Sequence, residues 1–359
     1  MKNVAIVGCG NISEIYLMNL TDLFDNLNAY AVCDLDESKA KIKSEKYNVP
    51  IMTFDEILAD KNVDIVLNIT TPFSHFDICK KTILAGKNIY VEKPLSLTYE
   101  EGKELVRLAK ENKVLIGCAP DTFMGAGEYT ARKVIDNGLI GDVVGATAFM
   151  VCRGHESWHP SPEFYYKPGG GPMFDMGPYY LTALINLMGS VKSVTGMSNC
   201  FKKQITITSK PKYGQIIDVE VDTHVNALLR FESGAICSMI TSFDVYGSNL
   251  PRIEIYGTKG SMILPDPNAF FGDVLLKQSF DKEFHVVPLF NRFSDNSRGL
   301  GIADMAWCLE NNSTDNCANG EVALHVLEIM EKILSSNETK KEVELESSCS
   351  RPKISPLLY

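Results

Sequence analysis

The stretch KNVAIVGCGNIS at residues 2–13 decides the fold of the first part of the chain. A short β-rich run passes through a glycine turn directly into a helical pattern, which leaves unpaired N–H groups where a phosphate can bind. Gly8 permits the tight turn, Gly10 permits close approach of a ligand, and Ser13 stands where a third glycine is usual. An ordinary strand-to-helix turn is the alternative. The residues predicted to cradle a phosphate are Gly8, Gly10, Asn11 and Ile12.

Short apolar runs and helical patterns alternate through the first 120 residues. Strands are predicted at residues 3–7, 29–33, 65–69, 88–91 and 113–118, with helical patterns between them. This alternation is typical of a parallel sheet wrapped by helices, with right-handed connections. We therefore predict a Rossmann-type α/β domain over residues 1–120.

The pattern changes after Pro120. Two helical patterns, at residues 127–136 and 173–187, accompany long strand-like runs with partial period-2 alternation, and helical spacing returns near the end of the chain. We predict an α+β domain over residues 121–359, in which the extreme C-terminal segment can pack back on the first domain.

Composition excludes several functional classes. Lys and Arg number 35 against 45 Asp and Glu, giving a net charge of −10 without a basic run, so nucleic acid is not an expected partner. The longest apolar stretch, residues 143–152, is shorter than the ~20 residues of a membrane helix, and no signal-peptide pattern precedes the first strand. Ten scattered cysteines without a C-x-x-C pair are expected to be reduced, in a cytoplasmic protein.

Polar residues follow the predicted strands at the edge where ligands of parallel sheets bind. Asp34, after the second strand, is placed to accept hydrogen bonds from both hydroxyls of an adenosine ribose and to repel a 2′-phosphate, which favours NAD over NADP. Some of these polar residues have an alternative reading: Asp34 can be a solvated turn residue, His75 can cap its own helix, and Glu92 and Lys93 can form a surface ion pair. The further predicted cofactor-binding residues are Thr70, Thr71, Pro72, His75, Glu92 and Lys93.

Four segments stand in a specific order: GCGNI at 8–12, TTPFSH at 70–75, AGKNIYVEKPL at 85–95 and GGGPMFDMG at 169–177. Together they resemble the Gfo/Idh/MocA family of nicotinamide-dependent oxidoreductases. The resemblance extends over essentially the whole chain, including residues 298–305 and 323–327. It implies a dinucleotide-binding domain, then a domain with a large, mostly antiparallel sheet whose open face packs against another subunit, and an active site in the cleft between the domains.

The resemblance also implies catalytic residues. Lys93 matches the active-site lysine of the family, and Asp175 matches the aspartate of its D-x-G-x-H motif, but Tyr179 stands where the histidine is expected. Residues four apart on a helix share a face, so Asp175 and Tyr179 can act together. We hypothesise that Tyr179 exchanges the proton of the reacting hydroxyl, that Lys93 polarises its oxygen, and that Asp175 orients the lysine or the substrate. Otherwise Tyr179 packs on the sheet and Lys93, His155 or His159 exchanges the proton.

A polar, aromatic loop at residues 153–168 precedes the glycine-rich segment and is too rich in His, Pro and aromatics for a regular helix or strand. Such a mixture suits a polyol, with rings against C–H surfaces and polar groups at hydroxyls. A metal at His155, Glu156 and His159 is disfavoured, because Gly154 and Pro160 oppose the helix it requires. We predict no metal, and substrate contacts from Asp121, Thr122, His155, Glu156, Trp158, His159 and Tyr165.

The predicted function is an NAD(H)-linked dehydrogenase or reductase acting on a secondary hydroxyl of a sugar, cyclitol or related polyol. One alternative is an NAD-dependent glycoside hydrolase that oxidises a sugar transiently and eliminates the aglycone. Another is a regulator that binds the cofactor without catalysis. The expected assembly is a homodimer or homotetramer formed through the C-terminal sheet.

Overall fold

The computed structural model describes residues 1–359. By packing, the chain divides into two units. The first comprises Met1–Ala126, Asn291–Leu327 and Pro352–Tyr359, and the second comprises Gly127–Phe290 and Glu328–Arg351.

The first unit contains a five-stranded sheet in the order β2-β1-β3-β4-β5, with every neighbouring pair parallel. Its strands are short and buried, as expected of a sheet covered on both faces. The helices α3 and α5 begin with capping boxes, Thr53 with Glu56 and Thr98 with Glu101. The elements are β1 (Lys2–Val7), α1 (Ser13–Asp22), β2 (Leu27–Cys33), α2 (Glu37–Tyr47), α3 (Phe54–Ala59), β3 (Ile65–Asn68), α4 (Pro72–Leu84), β4 (Asn88–Val91), α5 (Tyr99–Asn112) and β5 (Ile116–Cys118).

The second unit contains a nine-stranded sheet in the order β15-β14-β13-β12-β6-β11-β10-β7-β16 and a separate hairpin, β8-β9. All neighbours in the large sheet are antiparallel except β6 and β11. Its elements are α6 (Ala126–Asp136), β6 (Val143–Val151), α7 (Gly171–Met188), β7 (Val191–Asn199), β8 (Gln204–Thr206), β9 (Ile216–Asp218), β10 (His224–Phe231), β11 (Ile236–Ser242), β12 (Ile253–Gly257), β13 (Gly260–Leu264), β14 (Val274–Gln278), β15 (His285–Val287) and β16 (Val343–Glu344). Helix α8 (Leu300–Glu310) belongs to the first unit, and α9 (Gly320–Thr339) is divided between the two units after Leu327.

The helix α7 packs on the central strands β6, β10 and β11. Every residue of α7 is buried except Asp175 and Met176, and Asp175 is the one charged residue of this helix. Burial alternates along β10, whose other face exposes Leu228, and the neighbouring β7 exposes Met197. The sheet thus has one covered face and one face with exposed apolar side chains.

The packing units differ from the two continuous domains predicted from the sequence. Residues 291–327 belong to the first unit, where Gly117 forms a β-bridge with Asn319 and the Asp121 carboxylate accepts hydrogen bonds from two N–H groups at the start of α8. The prediction placed them in the second domain, because helical spacing alone does not indicate which sheet a helix covers. Pro352–Tyr359 also returns to the first unit.

The Rossmann-type sheet followed by a large, mostly antiparallel sheet confirms the predicted fold class. All ten cysteines are free, and seven of them are buried. None of the helices combines the length and apolar character that crossing a bilayer requires.

Glu128, in the first turn of α6, is a buried carboxyl group without a hydrogen-bond partner on either oxygen. Burial, and then the charge of Asp266, raises the pKa of Glu128 well above its usual range. The folded chain therefore keeps a proton that the unfolded chain releases near pH ~4.3, and stability falls as pH rises above that value.

Replacing Glu128 with Met is therefore expected to stabilise the chain at pH 8 by about 1–3 kcal/mol, or roughly 2–10 °C in Tm. The gain should shrink toward pH 5, where the carboxyl is protonated in the folded wild type and increasingly in its unfolded state. Thermal melts at several pH values measure this difference. The exposed Glu45 of α2, replaced in the same way, serves as the control. Parallel curves of Tm against pH for wild type and Glu128→Met would contradict this expectation.

Candidate active site

The glycine turn of the first unit has the geometry that its sequence predicts. Gly8 has φ +107°, and a Cβ at that position would lie 2.7 Å from the Ile69 carbonyl oxygen, so only glycine fits. Nothing lies within 4 Å of the position that a Cβ on Gly10 would take, which leaves its backbone open to a ligand. The Ser13 hydroxyl donates to the Gly10 carbonyl at 2.6 Å, so it braces the turn.

A cavity of about 550 Å³ lies against this turn. Seven predicted cofactor residues line it: Gly8, Gly10, Asn11, Ile12, Asp34, Thr70 and Thr71. Additional lining residues that sequence reasoning missed include Leu35, Lys39, Phe54, Phe73, Asp77 and Lys81. The open position at Gly10 and the exposed polar edge of the cavity fit a nucleotide bearing phosphates.

Asp34 is held in place by the backbone of the same unit. One carboxylate oxygen accepts from the N–H of Cys9 at 2.7 Å, and the other accepts from the N–H of Asp36 at 2.8 Å. These bonds fix the carboxylate at the edge of the cavity while leaving further lone pairs on each oxygen.

The other predicted cofactor residues do not line this cavity. His75 is 1% exposed, with Nδ1 2.7 Å from the Pro94 carbonyl oxygen, so it connects the segments that follow β3 and β4. Burial lowers its pKa. Glu92 accepts from the Tyr16 hydroxyl at 2.8 Å. Pro72 begins α4.

Lys93 follows β4 and is half-buried. Its backbone N–H donates to the Glu92 carboxylate at 3.0 Å, and the Lys93–Pro94 peptide bond is cis. The lysine thus stands at the carboxyl edge of the parallel sheet, where ligands of such sheets bind.

Asp121 and Thr122, predicted to contact the substrate, are both buried in the first unit. Asp121 is 1% exposed and accepts from the N–H groups of Gly299 and Gly301 at 2.9 and 3.0 Å, so it caps α8. Burial raises the pKa of Asp121 to about 6. From the sequence alone, the Asp121 carboxylate fits either a substrate contact or a helix cap. Its hydrogen-bond partners are known only from the tertiary structure.

In the second unit, Asp175 forms a pair with His155. Nε2 of His155 lies 2.9 Å from Oδ2 of Asp175, and both side chains are mostly buried. The pair joins the glycine-rich helix to the polar, aromatic loop. Both residues are site candidates from the sequence, but their contact is not predictable from it, because they are twenty positions apart and on different elements.

Aromatic rings surround His155. Its ring lies 4.3 Å from Tyr165, 4.7 Å from Phe243 and 5.2 Å from Trp158, measured between centroids. His159 packs edge-on against Tyr165 at 5.3 Å, and Trp158 is 60% exposed. The predicted substrate residues His155, Trp158, His159 and Tyr165 thus form one cluster with an accessible indole.

The remaining loop residue, Glu156, has a structural partner. Its carboxylate accepts from the Tyr166 hydroxyl at 2.5 Å, and its carbonyl accepts from the N–H groups of Thr208 and Ser209. The prediction that this loop contains no regular helix is wrong in one place, since residues Pro162–Tyr166 form a short 3₁₀ helix. No group of three or more His, Cys, Asp or Glu side chains is arranged to hold a metal ion.

Tyr179 lies one turn after Asp175 on α7 and is 8% exposed. The hypothesis that its hydroxyl exchanges a proton stays a prediction. The His155–Asp175 pair supplies a second candidate, because an imidazole hydrogen-bonded to a carboxylate can accept and return a proton.

Two family models match the chain. One, described as the oxidoreductase family with an NAD-binding Rossmann fold, matches residues 2–119, and the other, the GFO/IDH/MocA C-terminal domain, matches residues 129–263.

Among curated relatives, an uncharacterized oxidoreductase of Schizosaccharomyces pombe is 28% identical over 63% of this chain and 60% of its own length. The chain thus matches about three fifths of the length of this relative. The scyllo-inositol 2-dehydrogenase (NAD(+)) of Bacillus subtilis is 25% identical over 86% of each chain. A solved levoglucosan dehydrogenase in complex with NADH and L-sorbose shares the fold, with a TM-score of 0.82 and 17% identity over 96% of this chain and 99% of its own.

Proposed function

Because the chain belongs to the Gfo/Idh/MocA family of oxidoreductases, with an NAD-binding Rossmann domain, we propose that it is an NAD(H)-linked dehydrogenase or reductase. Its proposed substrate is a secondary alcohol of a sugar, cyclitol or related polyol. The glycosidase alternative is not favoured, since the relatives described above are named as dehydrogenases or oxidoreductases.

The observation that carries this proposal is the His155–Asp175 pair within a cluster of aromatic rings. An imidazole hydrogen-bonded to a carboxylate is suited to take a proton from an alcohol and return it to a carbonyl product. The rings around it offer apolar faces to the C–H surface of a polyol. One group of side chains could thus bind both a hydroxyl group and the carbon skeleton of a polyol substrate.

We assign roles to three residues in the reaction. His155 exchanges the hydroxyl proton, and Asp175 holds its ring and stabilises the imidazolium that forms. The Lys93 ammonium stabilises negative charge on the reacting oxygen. Tyr179 is the alternative proton exchanger.

The first unit is proposed to hold the dinucleotide. Its phosphates would bind the N–H groups of the glycine turn, so the net charge of −10 does not prevent binding. Asp34 would accept hydrogen bonds from the adenosine ribose, with Thr70 and Thr71 along the same cavity. When bound, the nicotinamide supplies hydride transfer.

The purified chain can be tested with NAD⁺ or NADP⁺ and a panel of scyllo-inositol, myo-inositol, D-xylose and levoglucosan. The expected result is an increase in absorbance at 340 nm with at least one of these substrates. The reverse reaction, measured with NADH and the corresponding ketone, tests whether the chain acts as a reductase. Cleavage of a glycoside without net NADH would overturn the proposal in favour of the hydrolase.

Asp34→Ala is expected to weaken NADH binding by roughly 10- to 100-fold, because hydrogen bonds to a charged carboxylate are lost. NADPH should lose less, since its 2′-phosphate is also relieved of repulsion. Titration of cofactor fluorescence gives both dissociation constants. The control is Asp77→Ala, which removes another carboxylate from the same cavity. Equal losses for NADH and NADPH would remove the argument for NAD preference.

We also propose a homodimer or homotetramer formed through the large sheet. The exposed apolar side chains on its open face, Met197 and Leu228 among them, support an interface there. Light scattering on the purified chain measures the assembly state.

A further inference from the structure

Both ring nitrogens of His155 are engaged by side chains of the second unit. Nε2 faces Asp175, and Nδ1 lies 3.2 Å from the indole Nε1 of Trp158. An indole N–H can only donate, so Nδ1 carries the lone pair and the ring proton lies on Nε2 toward Asp175. His155 is thus held in the tautomer that can accept a proton at Nδ1.

Trp158 occupies the position from which a hydroxyl would reach Nδ1. The other two rings against His155 are less accessible, since Phe243 is buried and Tyr165 is half-buried. Trp158 is 60% exposed, packs edge-on at 5.2 Å, and is held to His155 by a neutral hydrogen bond. Of the three rings, the indole is the one that can move away without opening the core.

We propose that Trp158 is a positioning residue whose indole N–H holds the proton-exchange atom of His155 until a substrate hydroxyl displaces it. This inference rests on the proposed function. In the oxidising direction the O–H bond of the substrate breaks and its proton bonds to Nδ1. The C–H bond breaks with its electron pair, which passes as hydride to the NAD⁺, and the C=O bond forms.

This arrangement gives the two parts of Trp158 opposite effects on substrate binding. The N–H competes with the substrate hydroxyl for Nδ1, because one lone pair accepts one strong hydrogen bond. The ring surface adds contact with the carbon skeleton of a polyol. Variants that separate the N–H from the ring therefore separate the two effects.

The hydrogen bond can be observed without turnover. The chain has two tryptophans, so a ¹⁵N-labelled sample gives two indole N–H resonances, which Trp307→Phe assigns. His155→Phe keeps an aromatic ring but removes the acceptor, and it is expected to shift the Trp158 indole proton upfield while Trp307 stays unchanged. Addition of NADH and scyllo-inositol or levoglucosan should produce a similar upfield shift. A Trp158 resonance that stays unmoved in His155→Phe overturns the proposal.

Kinetics provide the second readout. Trp158→Phe removes the N–H and is expected to lower KM by about 2- to 10-fold, the worth of one neutral hydrogen bond, with a smaller change in kcat. Trp158→Ala also removes the ring and should raise KM. Equal increases in KM for both variants would contradict displacement. Absence of turnover with every sugar tested would count against the proposed function, while the indole resonances would still decide whether Trp158 caps Nδ1 and whether a polyol displaces it.

Discussion

Lys93→Ala is expected to lower kcat by about 10²- to 10⁴-fold while cofactor affinity changes little. The physical reason is charge: an alcohol that loses its proton, or a carbonyl that accepts a hydride, places negative charge on oxygen, and an adjacent ammonium stabilises it. The side chain is half-buried and does not line the cavity at the glycine turn, so cofactor phosphates have other partners.

Single-turnover kinetics and a fluorescence titration with NADH separate these two effects. Lys110→Ala, on the exposed side of α5, is the matched control for loss of one positive charge. Lys93→Arg keeps the charge and should retain more activity than the alanine variant. Near-normal turnover in Lys93→Ala would refute the role assigned to this lysine.

Asp175→Asn should reduce kcat by a similar factor, about 10²- to 10⁴-fold. Asparagine can still accept a hydrogen bond from Nε2 of His155, so the ring position is largely kept. It no longer offers a negative charge to the imidazolium, and its amide can present a donor to Nε2 and favour the wrong tautomer. The expected loss is therefore electrostatic rather than structural, and thermal melts should show an unchanged Tm.

Tyr179→Phe is the comparison that distinguishes the two proton exchangers. If His155 exchanges the proton, the tyrosine variant keeps its pH–rate profile, and Asp175→Asn changes that profile. A lost or shifted ionisation in Tyr179→Phe, together with a mild effect in Asp175→Asn, would transfer the role to the phenol. Pre-steady-state kinetics with deuterated solvent report the proton step in both variants.

Much of the first unit was predictable because its signals are local. The predicted strand at residues 88–91 coincides with β4, since it lies between clear turn signals. The glycine turn was likewise predictable, as Gly8 needs a positive φ that other residues rarely adopt. In the second unit, the short strands β8, β13, β14, β15 and β16 were not predicted, because short strands near turns show little periodicity.

The sequence was sufficient to predict which residues belong to the candidate site, but not which of them contact one another. Asp175 was identified from its motif and His155 from the composition of its loop, but a hydrogen bond between them depends on tertiary structure. Asp121 shows the converse, since a carboxylate after a strand is polar in sequence yet caps α8 in the fold. Burial and pairing are long-range properties, and a single sequence does not carry them.

The hairpin β8-β9 lies outside the large sheet. The segment between its two strands is bonded to the polar, aromatic loop at residues 153–168. Thr208 and Ser209 donate to the Glu156 carbonyl, the Ser209 hydroxyl donates to the His159 carbonyl, and Lys212 pairs with Glu163. Most of these bonds use main-chain atoms of the loop, so side chains there can change while its path is preserved. Side chains of this loop can therefore be exchanged, and the proposed substrate preference changed with them, without disturbing the helix that carries Asp175.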